Sequence, residues 1–224
     1  MTGVPADGWP AAGAEVETRL HRYLEELYRW NRRVNLTAIP QEEAETRHVG
    51  ETGRLLAATA PALGARVVDI GAGGGVPGLV MAILRPDIHV TLVEADRRKA
   101  GFLLHAAAVC GCVQVAVLPR RAEEVGHDPA HRGTYDLAVS RAAAPVPVLC
   151  ELALPLLRTG GRLVALVAAA EAEGRSATPA AATCGGGAPV ILAPGILAIT
   201  KVAPTPDRFP RRSGLPARRP LGGA

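Results

Sequence analysis

The strongest chemical signal in this 224-residue chain is a carboxylate followed at once by clustered glycines: Asp69-Ile70-Gly71-Ala72-Gly73-Gly74-Gly75-Val76-Pro77-Gly78. Glycines without a Cβ let the backbone approach a ligand closely. Two ligand classes use such a turn, dinucleotides and S-adenosylmethionine (SAM). The dinucleotide fingerprint wants its third glycine at position 76, which is Val76. A pyrophosphate also prefers helix N–H groups with no carboxylate beside them. Asp69 suits a cationic ligand better, and SAM carries a sulfonium and an ammonium. The loop therefore favours SAM, with Asp69, Gly71 and Gly73 as candidate contacts. A dinucleotide site and a merely structural glycine turn stay open as alternatives.

Further chemistry lies downstream. Glu94 falls 23 positions after Gly71, close to the offset of about 20 at which a ribose-binding carboxylate is expected. Arg141 follows the fourth predicted strand, where SAM enzymes face the methyl acceptor. It could contact the cofactor carboxylate, contact RNA, or make a structural ion pair; it is the one catalytic candidate, and no catalytic residue is assigned. The stretch Ser140-Arg141-Ala142 has neither the Asn- or Asp-Pro-Pro-aromatic motif of exocyclic-amine methylation nor the cysteine that pyrimidine C5 chemistry needs. An acceptor with a free lone pair, such as guanine N7, needs only alignment. The four cysteines, Cys110, Cys112, Cys150 and Cys184, form one C-x-C without a second pair or a His cluster. They read as buried thiols of a reducing cytoplasm, and no metal is expected.

The elements that must position these residues follow from the hydrophobic pattern. Val67, Val68 and Ile70 make a β-branched strand, and 79–84 a helix with Pro77 in its first turn. Residues 15–34 carry apolar positions at three-and-four spacing and predict an amphipathic helix, and 42–60 a second that includes His48. Strands are expected at 88–94, 113–118, 135–140 and 162–167, with two more near 190–192 and 196–202. Helices are expected at 96–110 and 147–158, while 168–188 reads as weak helix or loop. Residues 1–14 are expected to be disordered. This alternation implies an α/β fold with a mostly parallel sheet covered on both faces.

Composition bounds the rest. No apolar run approaches a membrane span, and no signal peptide is evident. The formal charge of +4 is located in the tail, where Arg208, Arg211, Arg212, Arg218 and Arg219 stand against Asp207 after position 203. Its prolines exclude a helix, and an extended arginine-rich segment suits phosphate contacts, with a solubilising tail as the alternative. Arg32 and Arg33 on the first helix could face RNA, or could belong to a solvated ion-paired face.

Together these pieces resemble the bacterial RsmG (GidB) family, 16S rRNA guanine-N7 methyltransferases. The resemblance runs from Trp30-Asn31-Arg32-Arg33-Val34-Asn35-Leu36-Thr37-Ala38-Ile39 and Arg47-His48 through the glycine loop. It continues through Arg121-Ala122-Glu123 and Ser140-Arg141-Ala142 to Phe209-Pro210-Arg211-Arg212. The resemblance implies a Rossmann-like SAM-dependent methyltransferase fold with a seven-stranded sheet and an N-terminal helical extension. It divides the chain into 1–61, a methyltransferase domain 62–203 and a basic tail 204–224. It implies SAM held at Gly71, Val76, Ala122, Glu123 and Arg141, with Glu94 near the ribose. The implied substrate is a guanine in the decoding-region loop of 16S rRNA on the small ribosomal subunit, met by a cytoplasmic monomer. A Lys-Gly pair usual after the fifth strand is Val167-Ala168 here, and an Asp-Ser pair is Glu51-Thr52. The missing lysine motivates a second reading, a catalytically impaired RNA-binding or ribosome-assembly protein.

Overall fold

Seven strands form one sheet in the order β3-β2-β1-β4-β5-β7-β6 in the computed structural model, which describes residues 13–222. The expectation of disorder for 1–14 falls almost wholly outside the described residues. β1 (Arg66–Ile70), β2 (His89–Val93), β3 (Val115–Leu118), β4 (Tyr135–Arg141) and β5 (Leu157–Leu166) run parallel. β7 (Ile196–Thr200) is antiparallel to β5, and β6 (Val190–Ala193) to β7. The chain builds outward from β1 to β3, then returns to the other side of β1 as β4. The carboxyl ends of β1 and β4 therefore part company at the switch point, where open α/β sheets leave a crevice.

Strand periodicity assigns side chains to two layers. Val67, Val90 and Val139 enter a core shared with α1 (Ala14–Asn31), α2 (Glu51–Thr59), α3 (Gly78–Leu84) and α4 (Arg97–Val109). Val68, Ile70 and Ala138 enter the opposite core, packed by α5 (Ala122–Val125), α6 (Val146–Ala153) and α7 (Ala170–Thr183). The extension is thus part of the first core: Leu20, Tyr23 and Leu27 of α1 are buried against α3 and α4.

Several expected boundaries move for local reasons. α1 stops at Asn31, whose side chain accepts from the Leu36 and Thr37 N–H groups and donates to the Thr37 carbonyl. The 42–60 helix is three pieces: a 3-10 turn (Gln41–Glu43), one wide π turn (Glu45–Gly50) and α2. The helix expected to reach 158 ends at Ala153, because Leu157 already pairs with Tyr135 in the sheet. The Ala/Gly-rich 168–188 stretch is firmer than expected. It forms the fourteen-residue α7, which buries Gly174, Ala177, Ala180 and Ala181 and carries Pro179 within it. The tail also departs from expectation: Leu215–Arg218 forms a short helix, α8, with Pro216 tolerated in its first turn.

Candidate functional site

The crevice is a cavity of about 720 Å³ at the carboxyl ends of the strands. Gly71 (φ +69°) and Gly73 (φ +53°) turn the chain out of β1 in the left-handed region that favours glycine. A Cβ on Gly71 would lie 2.6 Å from the Cβ of Ala143, so the loops after β1 and β4 touch there. Ala142 beside it holds φ +53°, a conformation that costs an alanine roughly 1–2 kcal/mol and marks a backbone held by its surroundings.

Asp69 has a different place from the one expected. Period-two alternation puts it on the same sheet face as Val67. There it is wholly buried, and its Oδ2 accepts from the Gly78 N–H at 2.8 Å, at the start of α3. It does not line the cavity. Its Oδ1 is the one buried side-chain oxygen or nitrogen without a partner among the described residues. Burial pushes the carboxyl up to about 7, against the pull of the Gly78 N–H and Arg141. Asp69 therefore shapes the glycine turn from beneath and does not face a cationic ligand.

Glu94, just past β2, lines the cavity. Its Oε2 accepts from the Gly73 N–H at 2.9 Å and its Oε1 from the Asp96 N–H at 2.8 Å. A carboxylate has about four lone-pair positions, so both oxygens keep acceptor capacity for a vicinal diol. Asp96 in turn caps α4 by accepting from the Arg98 and Lys99 N–H groups.

The extension completes the site in a way the sequence did not disclose. The buried Tyr23 hydroxyl donates to the Gly74 carbonyl at 2.6 Å, and Leu27 and Leu36 crowd Gly74 on the same side. Arg141 crosses from β4 to the extension. It donates from Nη1 to the Arg47 carbonyl (2.7 Å) and Glu51 (3.3 Å), and from Nη2 to His48 Nδ1 (2.8 Å). An arginine can only donate, so His48 Nδ1 is the acceptor and the ring proton sits on Nε2, 3.3 Å from Thr37 Oγ1. Burial, with Arg141 and Arg47 nearby, pushes His48 down to about 4. The imidazole is neutral and its lone pair is taken.

Of the expected cofactor residues, Gly71, Gly73, Val76, Glu94 and Arg141 meet at the cavity, while Asp69, Ala122 and Glu123 do not line it. The Glu123 carboxylate turns instead to the tail, accepting from the Gly214 N–H at 2.8 Å. Sequence reasoning missed Thr37, Arg54, Lys99 and Ala142 as lining residues, and Val167 and Ala168 also line the cavity. Only the resemblance around Asn35-Leu36-Thr37 hinted that the extension belonged there.

The expected RNA-facing arginines divide likewise. Arg32 and Arg33 are exposed at the end of α1, in a depression with Arg29, Trp30 and Val34. Arg208, Arg212, Arg218 and Arg219 are also exposed. Arg211 is not available for phosphate contacts. Its Nε and Nη2 grip the buried Glu151 at 2.8 and 2.6 Å, its backbone N–H adds a third bond, and Nη2 also donates to the Arg219 carbonyl. All four cysteines are buried and unpaired, and none lines the cavity. Among the described residues no group of three potential ligands could hold a metal, and no helix is long and apolar enough to cross a membrane.

A parallel sheet ending in an antiparallel β7, a glycine turn after β1 and an acid after β2 define a Rossmann-like SAM-dependent methyltransferase. Two solved structures share the fold. One is a Corynebacterium glutamicum protein (TM-score 0.56, 20% identity, covering 83% of this chain and 90% of that one). The other is described as an S-adenosyl-L-methionine-dependent methyltransferase from Methanococcus maripaludis (TM-score 0.55, 14% identity, 72% and 90%). The chain belongs to the GidB family, rRNA small subunit methyltransferase G, whose model matches residues 16–191. It is similar to Ribosomal RNA small subunit methyltransferase G of Roseiflexus castenholzii, 44% identical with 89% of each chain covered. The Moorella thermoacetica protein of the same name is 40% identical, covering 87% of this chain and 86% of its own.

Proposed function

We propose that this protein transfers the methyl group of SAM to N7 of a guanine in 16S rRNA of the small ribosomal subunit, within the decoding-region loop. The observation that carries the choice of atom is how the cavity's possible bases are engaged: Glu51 is held by Arg47 and Arg141, and Glu94 by the Gly73 and Asp96 N–H groups. The lining holds no cysteine, its histidine has its lone pair committed to Arg141, and Asp69 lies beneath the loop rather than in the cavity. An acceptor whose proton must leave is poorly served by such a site; guanine N7 has a free lone pair and needs only positioning.

When bound, SAM supplies an electrophilic methyl on a sulfonium. The chain's own residues bind and orient. Glu94 offers acceptors to the ribose hydroxyls, and the Gly71–Gly74 backbone, held by Tyr23, forms the floor. Arg141 uses three donor bonds to fix the extension. Its Nε–H and second Nη2–H have no partner among the described residues, leaving a cationic edge for the cofactor carboxylate. In this reading the extension (1–61) and the tail (204–224) serve a methyltransferase domain (62–203), and the protein acts as a cytoplasmic monomer.

The test is transfer of labelled methyl from SAM to small subunits lacking the modification, followed by identification of the labelled base. Label in 7-methylguanine is the expected result. Label in another base would overturn the N7 assignment, and SAM binding with no transfer would leave only the assembly-protein reading.

A further inference from the structure

Four cations and two carboxylates line the cavity, and the two carboxylates are already engaged. Glu51 is held by Arg47 (3.0 Å) and Arg141 (3.3 Å), and Glu94 by two backbone N–H groups. Arg47 also pairs with Glu43. That leaves Arg54 and Lys99 as the lining cations with no salt bridge among the described residues.

Their positions in the fold differ. Lys99 lies in the first turn of α4, directly after β2 and Glu94. Arg54 lies on α2, one turn beyond Glu51. The two ends of α2 are tied to the middle of the sheet: Glu51 to Arg141 at the end of β4, and the Thr59 carbonyl to Arg162 of β5 at 2.5 Å. The two cations thus stand on opposite sides of β1, toward β2 and toward β4–β5.

We propose that Arg54 and Lys99 hold backbone phosphates of single-stranded RNA on the two sides of the cavity, so that the base between them enters the cleft. The proposal rests on the rRNA methyltransferase reading. Chemistry favours phosphates over base edges as their partners. Methylation of N7 leaves a positive charge on the purine, which a cation against the ring would oppose and a cation on the flanking phosphates would not. Two unpaired cations at the rim also suit a polyanion better than a neutral small acceptor. Phosphate contacts set register without reading sequence.

The test uses the full-length protein, comparing wild type with Arg54→Gln, Lys99→Gln, the double variant and Arg54→Lys. Affinity for unmethylated 16S rRNA is measured across salt concentrations, with SAM affinity by calorimetry and thermal melting as controls. Each neutral substitution should weaken RNA binding several-fold and lower the salt slope by about one. The double variant should lower it by about two, and Arg54→Lys should keep it. SAM affinity should stay within about twofold. A single-stranded RNA of unrelated sequence should show the same loss of slope. Unchanged slopes in variants of an enzyme whose wild type methylates rRNA would overturn this proposal alone. A fall in SAM affinity matching the fall in RNA affinity would also overturn it, by moving the residue to the cofactor. A wild type that neither binds nor methylates rRNA would instead sink the functional reading beneath it.

Discussion

The cavity rim and the C-terminal strap (the tail from residue 204) both carry arginines, and the contacts that define each use them differently. Where the strap is held to the domain, guanidinium donors are spent inside the protein, while Arg208, Arg212, Arg218 and Arg219 stay exposed. Arg211 closes on buried Glu151, and Arg132 of the main domain donates to the carbonyls of Gly126, Thr205, Pro206 and Phe209. His127 lies 2.6 Å from the Pro210 carbonyl, and buried Lys201 is bonded to Thr205 and to the Cys184 carbonyl. At the rim, Arg54 and Lys99 make no salt bridge among the described residues and Arg141 keeps donors in reserve. A charge count along the sequence weighs these two regions alike. What separates them is whether the partners are already inside the fold.

The largest expected effect tests the strap. Arg211→Ala would leave Glu151, whose side chain is 1% exposed, as a buried charge without its ion-pair partner. Breaking such a pair costs about 3–5 kcal/mol, a large share of the roughly 5–15 kcal/mol that holds a domain folded. Urea denaturation should show that loss, with SAM affinity of the folded fraction unchanged. A loss under about 1 kcal/mol would mean the strap is a loose appendage and the contrast is false.

The next effect tests the rim. Glu94→Ala removes both acceptors assigned to the cofactor ribose. Hydrogen bonds to charged groups are worth about 1.5–3 kcal/mol, so SAM should bind roughly 10- to 100-fold more weakly by calorimetry. Stability should change little, because the Gly73 N–H that Glu94 now receives lies at the open cavity and Asp96 is only half-buried. Unaltered SAM binding would remove Glu94 from the site.

How much of this was legible depended on whether the signal was local. The strand, turn and helix around Gly71 could be read from β-branched residues, glycines and a proline a few positions apart, and Glu94 from a fixed offset along the chain. Asp69 was misread because its neighbours in sequence are the cavity's glycines, while its neighbour in space is the N–H of Gly78. Period two, applied from Val67, would have put it under the loop. Tyr23 and Gly74 meet across 51 positions, and nothing local at either residue announces the other. Glu123 was placed at the cofactor by resemblance and Arg211 at RNA by the composition of the tail, because their partners, Gly214 and Glu151, lie 91 and 60 positions away. Arg54 sat in an unremarkable helical stretch, and only the anchoring of α2 at both ends brings it to the rim.

The smallest effect compares the buried charge that each region keeps. Asp69, beneath the loop, has its carboxyl raised by burial to about 7, and Lys201, beneath the strap, has its ammonium lowered by burial to about 8. Their signs differ. Between the ordinary carboxylate value near 4 and about 7, the folded state holds the Asp69 proton more tightly than the unfolded chain, so stability falls as pH rises through that window. Between about 8 and the ordinary lysine value near 10.5, the unfolded chain holds the Lys201 proton more tightly, so stability rises with pH there. His48, lowered to about 4, acts with the opposite sign to Asp69 between about 4 and 6.5 and masks part of its effect. Asp69→Asn should therefore remove the fall toward pH 7 and expose a steeper loss of stability on acidification below about 6.5. Lys201→Met should flatten the profile between about 8 and 10.5 and leave the acid side alone. Denaturation midpoints measured from pH 4 to 10 for both variants would show the two windows separately. An Asp69→Asn profile parallel to wild type below pH 7 would mean that the orphaned Oδ1 is better solvated than its burial implies, and the rim would then hold no buried charge to set against the strap's.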